Sequence, residues 1–143
     1  FDRDAKTASG KPTDELNKTD KALLEEAMKN YENLLVEAVN KNDFTLVEPW
    51  LYPGSTLYVS QKKLVSDLYQ KQIRERLDSY SVEAVEAVDY GAIYRVYVTE
   101  NIGIQYPGKD FETKQYNWVY SLKSIYEDRQ IRYQLTYIDK WVK

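Results

Sequence analysis

Carboxylates and tyrosines are the abundant groups in this chain that could do chemistry: 14 Tyr and 23 Asp or Glu among 143 residues, with no His and no Cys. Without imidazole the chain lacks the commonest general base at neutral pH and the commonest ligand for zinc, copper and non-haem iron. Without thiols it has neither disulfides nor thiolate nucleophiles. The arrangement this inventory allows most easily is an acid acting as base beside a Tyr that hydrogen-bonds a developing oxyanion. Glu100 and Asp139 are the acids to test first, the former mid-strand and the latter near the C-terminus on the parity of Tyr137. With so many of both types such pairs arise by chance, and an exposed or ion-paired carboxylate is the expected state of each, so no residue is assigned a catalytic role. Asp2-Arg3-Asp4 and Glu127-Asp128 lack the ligand spacing and turn glycine of a calcium loop. No metal site and no cofactor is therefore expected.

The aromatic residues point more strongly to a site. Tyr and Trp join a large apolar body to a polar tip, which suits a half-wet pocket or interface. Tyr116, Trp118, Tyr120, Tyr133 and Tyr137 alternate in two neighbouring segments and would converge on one side of a sheet. With Trp50 they form the candidate ligand-binding set. The plain alternative is that they are core residues beneath the helices. A cavity with an acid at its base hydrogen-bonded to a Tyr would speak for an enzyme. A cavity filled by Trp50 and the sheet aromatics would speak against one.

These residues must be positioned by two kinds of element. Leu23, Leu24, Ala27, Met28, Tyr31, Leu34, Leu35, Ala38 and Val39 recur at three and four residues and predict a core-facing helix over Lys21 to Val39, with Glu32 among the residues of its polar face. Asp43 can cap a short helix from Phe44 that Pro49 forces to be kinked or partly 3₁₀. A third helix is expected from Ser55 or Ser60 to about Arg74. From Ser79 the period becomes two, predicting strands at Ser79 to Val88, Ala92 to Tyr106, Phe111 to Tyr126 and Gln130 to Val142. The short breaks between them make an antiparallel meander, and Tyr106-Pro107-Gly108-Lys109 has the form of a type II turn.

The size fits one domain, long enough to bury roughly 70% of the surface of its extended chain. Residues 1–18 are polar and contain Ser9-Gly10-Lys11-Pro12, so they are expected to be a linker or arm ahead of a domain spanning 19–143. A net charge of −3 with mixed signs argues against nucleic acid, which requires a basic stripe. No run of about 20 apolar residues spans a bilayer. The start at Phe1, without Met, suggests a piece of something longer.

The order of long helix, Asn40-Lys41-Asn42-Asp43-Phe44, short helix, Pro53-Gly54 turn, helix and curved sheet resembles the nuclear transport factor 2-like superfamily. More narrowly, 42–48 followed by Trp50-Leu51-Tyr52-Pro53-Gly54 is similar to the C-terminal domain of the teicoplanin-resistance-associated protein A family. The resemblance implies an α+β, cone-shaped fold with N-terminal helices on a curved four-stranded antiparallel sheet. It also implies an extracytoplasmic place on a membrane-anchored cell-envelope protein of a Gram-positive bacterium. The expected function is non-catalytic binding of a small ligand or cell-wall component, with a link to a cell-wall antibiotic response. The alternative is a cone-type isomerase or dehydratase, although the His used by many such enzymes is absent. A homodimer through Ile93 and Tyr97 on the outer sheet face is a further expectation.

Overall fold

Leu24, Ala27, Met28, Tyr31, Ala38 and Val39 form the buried stripe of helix α1 (Lys18–Lys41) in the computed structural model, which describes residues 18–89 and 92–142. The expected arm lies outside the described residues except for Lys18, which opens α1. The helix ends without a glycine. Asn42 takes a left-handed conformation (φ 52°), its N–H bonds Val39 O at 3.4 Å, and the Asp43 N–H bonds Ala38 O at 3.0 Å. This is a Schellman closure with Asn in the left-handed position.

Two 3₁₀ turns follow, Phe44–Leu46 and Glu48–Trp50. Asp43 caps the first by accepting from the Thr45 N–H at 3.1 Å, as its place in the sequence suggests. Pro49 is the second residue of the second, in its first turn, where its missing N–H costs nothing. Ser55 then caps helix α2 (Thr56–Gln70) by accepting from the Tyr58 N–H. Gln72 (φ 59°) repeats the glycine-free ending, with Ile73 N bonded to Leu68 O at 2.9 Å. The chain is thereby released into a strand at Arg74, five residues before the Ser79 expected from periodicity, because this left-handed cap has no glycine to mark it.

Strands β1 (Arg74–Val88), β2 (Ile93–Gln105), β3 (Glu112–Glu127) and β4 (Gln130–Lys140) form an antiparallel meander in the order β1-β2-β3-β4. The expected type II turn is present, with Gly108 at φ 74° and the Lys109 N–H bonded to Tyr106 O. Register breaks around Asp78, Glu83 and Thr136 bend the sheet, as bulges do. The helices cover its concave side, where Val96, Val98, Tyr120, Leu122 and Leu135 meet the α1 stripe. β2 is buried along both faces. On its convex side Tyr97 donates to Glu86 at 2.6 Å and lies edge-on to Trp141, whose N–H returns to Asn117 O. Tyr97 is thus largely covered within the chain.

Asn40 ties α1 to the edge strand. Its side-chain amide donates to Glu75 O at 2.7 Å and accepts from Glu75 N at 2.9 Å. Asn40→Ala removes both bonds in a part-buried setting, with an expected cost of about 1–3 kcal/mol. Urea unfolding should show a lower midpoint at unchanged slope, whereas Tyr126→Ala at the exposed end of β3 should move stability by less than about 0.5 kcal/mol.

Candidate functional site

A cavity of about 260 Å³ opens between α1, α2 and the concave face of the sheet. Period-two alternation delivers Glu100, Ile102 and Ile104 from β2 and Tyr116, Trp118 and Tyr120 from β3 to the same side. α1 contributes Tyr31, Glu32, Leu35 and Val36, α2 contributes Gln61 and Leu64, and β1 contributes Glu75. Three carboxyls thus face one space, and no Lys or Arg lines it among the described residues.

The base of the cavity is a buried polar cluster. Tyr120 donates its hydroxyl hydrogen to Glu100 Oε2 at 2.6 Å, and its ring meets Tyr31 edge-on at 5.2 Å. Burial, aided by the negative charges of Glu100 and Glu32, pushes both phenols well above the ordinary Tyr range. Glu32 is 3% exposed, and no N–H or hydroxyl donates to its Oε1. It faces the Glu100 carboxyl, and two carboxyls can share a hydrogen bond only when one holds a proton. Desolvation, that hydrogen bond and repulsion from Glu100 accordingly hold Glu32 well above the carboxylate range. Glu75, half-buried, rises from 4.5 to about 7, through desolvation first and the Glu100 charge second. Gln61, 8% exposed, also leaves its Oε1 without a donor. Also on the wall, Tyr116 and Trp118 stack at 5.6 Å with 13° between their planes.

Of the six aromatic candidates, Tyr116, Trp118 and Tyr120 line the cavity and the other three do not. Tyr133 is buried beneath the start of α1, edge-on to Tyr94, with its hydroxyl donated to Asp20 at 3.2 Å. Tyr137 is 47% exposed, because the bulge at Thr136 reverses the facing of the rest of β4 and sends Ile138 into the cavity in its place. Trp50 neither plugs nor lines the cavity. It packs under the Arg132 guanidinium, 5.4 Å from its ring centroid, while Arg132 and Gln134 both donate to Pro49 O. Between the two acids, Glu100 is at the base and Asp139 is exposed on the outer side.

Glu32, Glu75 and Gln61 were not visible as site residues in the sequence reading, which placed Glu32 on a solvated face. A signal did exist for two of them. Glu32 interrupts the row Met28, Leu35, Val39, and Gln61 interrupts the row Leu57, Leu64, Val65, Leu68, so each is a polar residue inside an apolar ridge. Glu75 had no such signal once its strand was taken to start later. Among the described residues no group of acids is placed to hold a metal ion.

Helices laid on the concave side of a bent four-stranded meander, with a cavity between the layers, define an NTF2-like domain. The chain belongs to the family described as the TcaA protein NTF2-like domain, whose model matches residues 20–138. It is 32% identical over 94 residues to the uncharacterized membrane protein YvbJ of Bacillus subtilis (strain 168), a match covering 66% of this chain and 15% of that protein. In fold it is similar to the intermembrane space region of the chloroplast protein ARC6, with a TM-score of 0.66 at 11% identity, covering 84% of this chain and 95% of that one. No described helix is long and apolar enough to cross a membrane.

The carboxyl cluster makes stability depend on pH with a definite sign. The folded chain binds more protons than the unfolded chain wherever a carboxyl is raised, so stability falls as pH rises from 4.5 to about 7 through Glu75, and Glu32 adds a decline of the same sign. Glu75→Gln removes its part of that decline. It should stabilise the chain at pH 8 by up to about 3 kcal/mol, less where solvent screens the half-buried group, and change little at pH 4. Denaturant midpoints across that range check this.

Proposed function

We propose that this chain is a small-ligand-binding domain of a cell-envelope membrane protein, standing on the extracytoplasmic side, and that binding rather than catalysis is its task. The observation that carries the reading is a cavity whose walls hold a buried acceptor, Gln61 Oε1, that the protein leaves unmatched, beside the buried Glu32 and Glu100 carboxyls. Folds rarely leave such atoms without a donor, and a ligand that brings one gains the interaction. Membership of the TcaA domain family and the likeness to a membrane protein support the setting. Because the match spans 15% of YvbJ, most of a protein of that kind lies elsewhere, and occupancy of this cavity would be a signal to the remainder. A cell-wall component or a wall-directed antibiotic is the ligand class that this setting favours.

One observation favours the second reading, catalysis of the cone type. A carboxyl raised to about 7, Glu75, shares a cavity with a Tyr-carboxylate pair, which is the arrangement general-base chemistry uses. Against it, Tyr120 spends its only hydrogen on Glu100 and has none to give a substrate oxyanion. Binding is the better supported of the two.

The test is titration of the chain with sets of small neutral, anionic and cationic compounds, followed by amide and indole NMR. At least one set should shift the Gln61 side-chain amide and the Trp118 indole saturably. Leu64→Trp, which fills the cavity with an indole, should abolish those shifts in a chain that still melts cooperatively. Silence toward every set at concentrations of about 10 mM, weaker than any specific site of this kind, would sink the reading.

A further inference from the structure

Charge and hydrogen-bonding capacity narrow what this cavity can hold. Its polar wall carries three carboxyls, Glu32, Glu75 and Glu100, and the orphaned Gln61 Oε1, beside the Tyr31 and Tyr116 hydroxyls and the Trp118 indole. The hydroxyl of Tyr120 is already given to Glu100. An anion would meet the carboxyls without a cationic partner, whereas a cation meets three of them and brings the donor that Gln61 Oε1 lacks. The apolar wall, formed by Ile102, Ile104, Leu64 and the Trp118 ring, rejects a fully hydrated ion but suits a short hydrocarbon. The faces of Tyr116 and Trp118 among the lining residues add attraction for a positive charge.

We infer that the cavity binds a primary ammonium group carrying a short apolar substituent, with its N–H donors directed to Gln61 Oε1 and the Glu32 and Glu75 carboxyls and its hydrocarbon against Ile102, Ile104 and Trp118. This rests on the small-ligand reading above and names the ligand's chemistry. Gln61 is the observation independent of the acids, since it lies on a different helix, is nine-tenths buried and presents an acceptor with nothing to accept from. A metal ion is the other cation that carboxyls hold, but no acid cluster among the described residues has the required closeness.

Proton linkage follows from the same wall. The titratable groups facing the ligand are Tyr31 and Glu32 from α1, Glu75 from β1, Glu100 from β2, and Tyr116 and Tyr120 from β3. α2 and β4 present the neutral Gln61 and Ile138. A cation favours the ionised carboxyl, so its binding releases a proton from Glu75 below pH 7 and its affinity rises as pH increases through that value. An alkylamine titrates near 10, as Lys does, so the probe itself stays charged throughout.

The experiment compares n-butylammonium, 1-butanol and butyrate on the intact chain at pH 6 and pH 8, read by NMR at the Gln61 side-chain amide and the Trp118 indole. Butylammonium is expected to bind about tenfold tighter at pH 8 than at pH 6, and at least about tenfold tighter than butanol at pH 8. Butanol should show no pH dependence, and butyrate should not bind. Glu75→Gln should flatten the pH dependence while leaving the fold intact, and Gln61→Leu should weaken butylammonium at both pH values. Butanol binding as well as butylammonium would overturn the cation inference while leaving the small-ligand reading standing. Absence of binding by all three, together with silence toward the wider compound sets, would overturn both. Shifts confined to residues outside the cavity would also overturn the inference. Because the comparison of probes is made on the natural sequence, it decides the matter even if a variant fails to fold.

Discussion

A buried pair of carboxyls constrains the interior of this domain. Glu32 and Glu100 approach from a helix and a strand that pack together, and their carboxyls can meet only if one is protonated, because two buried negative charges in contact would cost several kcal/mol with nothing to offset them. Tyr120 stabilises the arrangement by donating to Glu100, and Tyr31 closes over Tyr120. The helix-on-sheet interface therefore has two characters. Toward Leu122, Leu135 and Val47 it is an ordinary apolar core, and toward Glu100 it is a polar cluster whose protonation sets both stability and the charge of the cavity.

The rest of the fold can be understood as the means of bringing those acids together. The left-handed endings at Asn42 and Gln72 turn each helix sharply, so that α1 and α2 lie close and β1 begins early enough to place Glu75 across from Ile104. The paired bonds between Asn40 and the Glu75 backbone then hold that edge strand against the helix. Pro49 O, gripped by Arg132 and Gln134, anchors the 3₁₀ segment to β4 well away from the cavity. Trp50 belongs to that anchor.

Element order, the antiparallel meander and the type II turn were legible in the sequence because each depends on local period or on Pro and Gly at fixed places. So was the convergence of Tyr116, Trp118 and Tyr120, since β3 runs through them without a break in alternation. Tyr137 was misplaced because a bulge is a property of strand pairing, and nothing in Leu135-Thr136-Tyr137 announces that Thr136 is extra. Tyr133 faces inward as alternation implies, but at the far end of α1, and a period of two says nothing about distance along the sheet. Glu75 was hidden by a helix end without glycine. The buried carboxyl and amide of Glu32 and Gln61 were misjudged because residue type was allowed to outweigh position in an apolar row.

The irregularity in β4 has a consequence for how this strand can vary. Ile138 stands opposite Tyr120 only because Thr136 is left out of the ladder. Were the strand to slide into a continuous register, Tyr137 would take that position and Ile138 would turn outward, exchanging a hydrocarbon wall for a phenol beside the acids. Removing residue 136 outright has the opposite result, since the ladder becomes regular while Ile138 keeps its partner. The composition of the cavity wall on this side is thus written in chain length as much as in side-chain identity: a one-residue gap at 136 or 137 leaves Ile138 on the wall, and a gap of both would bring Asp139 to it.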